Sequence, residues 1–201
     1  MMSWILDSFM ILMSRGGIVM WLLLVLSIID VALIFERICF FLKTNRSSRL
    51  HVMSEMARLL RLGQLDKARQ LADADDSIYG DVVLDLIKEP PTESTVMGIV
   101  EFHRHRLERF MPVLSTVITA APMLGILGTV LGIIYSFEIL SEQVNGTDPR
   151  SVSQGIAQAL ITTAAGLVIA VVTLFPYNTF RWQVDRTLSR LEVLAAAIMG
   201  K

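Results

Sequence analysis

Hydroxyl-bearing residues recur at helical spacing inside two long stretches, 111–137 and 152–177, that contain no Asp, Glu, Lys, Arg or His. At about 100° per residue, Ser115, Thr119, Thr129 and Ser136 fall within an arc of roughly 100° on the first stretch. Gly125, Gly128 and Gly132 form the neighbouring stripe. On the second, together with Ser151 just before it, Gly155, Gln158, Ala159, Thr162, Thr163, Gly166, Ala170 and Thr173 share an arc of roughly 140°. Leu, Ile, Val and Phe dominate the remainder. A hydroxyl donates and accepts hydrogen bonds but holds no proton that titrates near neutral pH. Such faces suit the solvation of an acid carried by another molecule. A charge at membrane depth costs about 2.5–3.5 kcal/mol even on the lenient insertion scale, so a proton path needs a group that alternates between charged and neutral. These two stretches supply none, which predicts an acidic partner. The competing use of the same hydroxyls is a bond back to the carbonyl of the preceding turn. Small residues let helix backbones approach closely, and Gly125, Gly128, Gly132, Gly155 and Gly166 are read as packing positions. Pro122 and Pro176 each remove a backbone hydrogen bond and are read as architectural kinks.

The elements that must carry these faces follow from composition. Of 201 residues, 53% are hydrophobic, above the roughly 45–50% of a soluble domain. About 20 mostly apolar residues cross a bilayer core, and residues 17–35, 111–137 and 152–177 meet that length. The first exceeds the roughly 7–15 apolar residues of a signal peptide and is read as a retained span. The expected class is an all-α membrane protein, with three transmembrane helices and long cytoplasmic helical extensions. Arg37, Lys43, Arg46 and Arg49 follow the first span, Arg104, Arg106 and Arg109 precede the second, and Arg181, Arg186 and Arg190 follow the third. Basic flanks stay cytoplasmic. This places residues 1–16 in the periplasm, 36–110 in the cytoplasm, 138–151 in a periplasmic loop and 178–201 in a cytoplasmic C-terminal helix. Trp4, Trp21, Tyr177 and Trp182 fit an interfacial aromatic belt.

The 36–110 segment has as many acidic as basic residues, so it has no net charge to draw nucleic acid. Its helical stripes, one of them Leu50, Met53 and Leu60, predict a bundle, joined by Val184, Leu188, Leu191 and Ile198 from the C-terminal helix. Gly63 should end one helix, Asp66 cap the next and Thr92 cap a third that runs on into the membrane. Glu101, His103, Arg104, His105 and Arg106 read as a solvated helix face, Glu36 and Arg37 as interface anchors, and Cys39 as a small filler at a helix end. Asp30, the carboxylate inside the first span, sits near its cytoplasmic end, where water or a basic side chain should meet it. No phosphate loop, Cys/His ligand spacing or Ser-His-Asp set is present, so neither an enzyme nor a cofactor is expected.

Two signatures carry a resemblance. Ala121-Pro122-Met-Leu-Gly125-Ile-Leu-Gly128-Thr129-Val-Leu-Gly132-Ile and Gly155-Ile-Ala-Gln158-Ala-Leu-Ile-Thr162-Thr163-Ala-Ala-Gly166-Leu, with the Ile34-Phe35-Glu36-Arg37 exit from the first span, resemble the MotA/TolQ/ExbB proton channel family. ExbB and TolQ are the nearest branches. The resemblance implies an inner-membrane stator: a homopentameric bundle whose central pore holds an ExbD- or TolR-like single-span protein with a transmembrane Asp. Proton flow through that Asp would energise a TonB- or TolA-like protein. It also implies that Thr129 and Thr163 line the path, with Thr162, Gln158, Thr119 and Ser115 on the same polar faces. The family commonly carries Glu where this chain has Gln158, a change that removes a titratable site. A non-conducting scaffold of the same fold and a flagellar-type stator are the alternatives. Flagellar subunits usually have four spans.

Overall fold

The computed structural model describes residues 17–142 and 149–200, and all regular structure among them is helical. In chain order the helices are α1 (Gly17–Thr44), α2 (Ser47–Arg61), α3 (Leu65–Asp73), α4 (Ile78–Lys88), α5 (Glu93–Leu107), α6 (Met111–Glu142) and α7 (Pro149–Ile198). α1, α6 and α7 are long and apolar enough to cross a membrane. In hydrocarbon every backbone polar group must be satisfied within its own segment, and a helix does this. Trp4 lies outside the described residues, as does the middle of the link between α6 and α7. Helix extends further into that link than the sequence reading of 138–151. Glu138 to Glu142 contains no breaker, and Pro149 suits a first helical position because its missing N–H would be unpaired there anyway.

The chain divides into two compact units. In the first, residues 1–34 and 113–177, Val19 and Leu23 of α1 pack with Ala121 of α6, flanked by Leu26, Leu124, Ala165 and Ile169. Large apolar side chains such as Ile18, Met123, Leu160 and Phe175 point outward and are exposed. Gly125, Gly128, Gly132, Gly166, Ala121 and Ala159 are buried. That inversion of the soluble pattern is what a lipid solvent selects, because Leu gains nothing by leaving hydrocarbon while close backbone approach gains dispersion.

The second unit, residues 35–112 and 178–201, has a conventional core. Met56, Leu60, Ala68, Tyr79, Val82, Val83 and Leu86 are buried there, as are Leu107, Val184, Leu188, Leu191 and Leu194. Phe41 stacks on Phe180 with ring centroids 5.8 Å apart. Asn45, Tyr79 and Arg190 form a polar link through this core, with Arg190 donating to Asn45 Oδ1 at 2.8 Å and to the Tyr79 hydroxyl at 3.2 Å. Thr92 caps α5 by accepting from the Thr95 N–H. Gly63 follows α2 with φ 68°, a left-handed conformation that glycine adopts without steric cost.

Five local expectations are corrected. Asp66 lies in the first turn of α3, where its charge complements the helix dipole, while Gln64 occupies the cap position. α5 does not run on into α6: it stops at Leu107, and Phe110 takes a left-handed φ of 69° between them. Arg37 is not an interface anchor but a buried hub, 2% exposed. Its guanidinium pairs with Glu36, donates to the Leu107 carbonyl at 3.3 Å and lies over the Phe40 and Phe110 rings. This satisfies a carbonyl that the break after α5 would leave orphaned. His103 leaves the solvated face: it is buried, with Nε2 3.0 Å from Asp85 Oδ2. Cys39 is exposed within α1 rather than filling a gap at a helix end.

Candidate pore and helix-packing site

The α6–α7 contact is built on glycine. A Cβ on Gly125 would lie 2.9 Å from the Thr163 Cα, one on Gly132 would lie 2.9 Å from both Ala159 Cβ and the Gly155 carbonyl, and one on Gly166 would run into the Ala121 carbonyl. Those are backbone obstacles that no rotamer change relieves. Gly128 leaves a notch that the Thr162 side chain fills, and Gly155 leaves another for Ser136. Pro122 lies inside α6, half-buried and next to Ala121.

The hydroxyls divide by what they bond. Thr119 donates to the carbonyls of Thr116 (3.0 Å) and Ser115 (3.3 Å), Thr129 to Ile126 (2.6 Å), Thr162 to Ala159 (2.8 Å) and Ser136 to Gly132 (2.8 Å). Each bond returns to the preceding turn of its own helix and leaves the oxygen free to accept. Thr163 and Ser136 reach across the contact: Thr163 donates to the Gly125 carbonyl of α6 at 2.9 Å, and the Ser136 hydroxyl also lies 3.4 Å from the Val152 carbonyl of α7. Burial sorts them again. Thr162 is 1% exposed and lies within the helix contact. Ser115, Thr129 and Thr163 are half-buried and Thr119 is exposed, so these four residues reach the chain's surface, with the Thr163 hydroxyl itself turned to Gly125. Gln158 is placed elsewhere, with its amide against Gly17 at the start of α1, where φ is 61° and a Cβ would collide with Nε2.

Asp30 corrects the sequence reading most. The side chain is 2% exposed, and among the described residues no cation is paired with it. Instead its Oδ2 accepts from the Thr173 hydroxyl of α7 at 2.7 Å. Both residues stood out in the sequence, one as the carboxylate within a span and the other as a member of the polar arc. Their pairing depends on how α1 docks against α7, which no local pattern encodes. Among the described residues no cluster of three or more His, Cys, Asp or Glu side chains could hold a metal.

A profile of the MotA/TolQ/ExbB proton channel family matches residues 87–193, which include α5, α6 and most of α7. Over 173 residues the chain is 35% identical to the putative biopolymer transport protein ExbB-like 3 of Synechocystis, covering 83% of this chain and 81% of that one. It is 26% identical over 193 residues to the biopolymer transport protein exbB1 of Vibrio cholerae, covering 92% and 85%. A shorter match, 40% identical over 79 residues, is to the Tol-Pal system protein TolQ of Haemophilus influenzae, with 39% of this chain and 34% of that one covered.

Proposed function

This chain belongs to the MotA/TolQ/ExbB proton channel family, and from that premise we propose that it is the channel-forming stator subunit of an ExbB–ExbD-type motor. The family is one of proton channels, not enzymes, and the chain is a multi-pass membrane protein. In the proposal five copies in the cytoplasmic membrane, N-terminus outward, surround the single-span helices of an ExbD- or TolR-like partner. The partner's transmembrane Asp carries the protons, and the resulting motion drives a TonB- or TolA-like protein.

The observation that carries this reading is the placement of hydroxyls on the apolar membrane unit. Ser115, Thr119, Thr129 and Thr163 are the hydroxyl residues of the polar faces that stay partly or fully exposed, while Thr162 and Ser136 are consumed in packing. Surface oxygens in lipid gain nothing unless a polar group faces them. A carboxyl that gains and loses a proton is such a group, and Thr129 and Thr163 are the residues proposed to line its path.

Gln158 favours a second reading, a scaffold that holds partner helices without conducting. Its amide cannot titrate, and it packs on Gly17. One experiment separates the two. The chain is co-expressed with a single-span protein bearing a transmembrane Asp, and the purified complex is reconstituted for proton-flux measurement. A conductor carries protons, and Thr163→Val or Thr129→Val lowers the flux about tenfold or more, the scale of one lost hydrogen bond to a charged group, with stoichiometry unchanged. A scaffold shows the same assembly and no flux in any variant. Failure of the two proteins to assemble would sink both readings.

A further inference from the structure

The buried carboxyl of Asp30 has no part in the proposed path, and its surroundings are built around it. Its Oδ2 lies 2.7 Å from the Thr173 Oγ1, and the same Oγ1 lies 2.7 Å from the Ile169 carbonyl one turn back on α7. One hydroxyl proton cannot serve both acceptors fully. The second carboxyl oxygen, Oδ1, is buried with no hydrogen-bond partner among the described residues. We propose that Asp30 and Thr173 form a proton-binding site belonging to this chain itself, in which the Thr173 hydroxyl reverses its hydrogen bond as the proton comes and goes.

The geometry accommodates both states without moving a heavy atom. With the carboxyl ionised, the Thr173 hydroxyl donates to Oδ2. When a proton from the medium adds to Oδ2, the new O–H donates to the Thr173 Oγ1, and the hydroxyl proton turns to the Ile169 carbonyl. Each hydrogen then has one acceptor, and α1 stays tied to α7 in both forms. The acid form also leaves Oδ1 as a neutral carbonyl oxygen, whose burial without a partner costs far less than that of a charged one. Among the described residues no cation is set beside the negative form. On α1, between Gly17 and Ile34, Asp30 is the one titratable side chain, and α6 has none between Val113 and Ile134. Tyr177 lies one turn beyond Thr173 on α7, while Tyr135, Glu138, Glu142 and Arg150 belong to the opposite end of these helices. Glu36 and Arg37 follow further along α1 and are engaged with each other.

Asp30 lies outside the residues the family profile matches, while Thr173 lies within them, and the site does not depend on the partner acid, so it stands or falls separately from the channel proposal. Infrared difference spectroscopy on the full-length chain alone in lipid vesicles tests it, with aspartate isotopically labelled to identify its bands. The expected spectrum at neutral pH contains a protonated-carboxyl C=O band that Asp30→Asn removes. Thr173→Val should move that band to higher frequency, because the hydrogen bond that the carboxyl O–H donates to the Thr173 Oγ1 is lost, and Thr173→Ser should restore it. Where Asp30→Asn does not insert, the Val and Ser pair decides alone. A labelled spectrum showing only carboxylate at neutral pH, or a band identical in wild type, Thr173→Val and Thr173→Ser, overturns the proposal.

Discussion

Single atoms decide most of what holds α6 against α7. Gly166 and Gly98 are both helical glycines, yet the Cβ of a substitute would meet the Ala121 backbone carbonyl at the first and open space at the second. Overpacking typically costs about 1–3 kcal/mol, whereas glycine in an exposed helix interior is worse than alanine by roughly 0.8–1.0 kcal/mol. The two substitutions should therefore act in opposite directions. Gly166→Val is expected to lower the thermal unfolding midpoint in detergent and Gly98→Ala to raise it. Equal effects would show that the α6–α7 contact is looser than its backbone distances imply. The glycines were visible in sequence as a stripe. The fillers of the notches, Thr162 over Gly128 and Ser136 over Gly155, were not, because the polar arc that contains them also contains the exposed hydroxyls. Periodicity gives a face, and only the docked neighbour tells which part of that face is covered.

Among the helices, the joint between α4 and α5 depends on a titratable pair. Burial works against ionisation of the Asp85 carboxyl, but hydrogen bonds from His103 and Lys88 outweigh it and hold the group below the usual carboxylate range. A carboxyl depressed in the folded state contributes stability that is present above its unfolded value and is lost as pH falls through the folded one. Unfolding of the full chain, followed by circular dichroism, should thus become easier as pH drops below about 4. Asp85→Asn should flatten that part of the profile, and an unchanged acid limb would remove Asp85 from the account. Helix existence was legible here because few alternatives compete: apolar runs of spanning length must be helical in lipid, Thr92 carries a start signal in its own hydroxyl, and Gly63 a stop signal in its lack of a Cβ. Helix endings set from a distance were not legible. The break after Leu107 is held by Arg37 through the Leu107 carbonyl and the Phe110 ring, and nothing near Phe110 in sequence announces a left-handed residue.

At the scale of the whole molecule, the question is whether one chain type suffices for conduction. In the membrane unit, the partly exposed Ser115, Thr119, Thr129 and Thr163 are the hydroxyl residues that can solvate a proton carrier, but none of these groups holds a proton near neutral pH. Asp30 does not fill the gap. It is buried against Thr173, whose hydroxyl leads back to the carbonyl of its own helix, so the pair stores a proton without offering it a route. Vesicles containing the chain alone should accordingly hold an imposed pH gradient as well as empty vesicles do, by a pH-sensitive dye inside them. Adding the single-span partner at assembly should make them leak. Asp→Asn in the partner's span should close the leak again without dissociating the complex. Leakage from the chain alone that persists in Asp30→Asn would mean that hydroxyls and water conduct unaided, and the division of labour between a hydroxylated sleeve and a borrowed acid would be wrong. Leakage that Asp30→Asn abolishes would place the carrier in this chain.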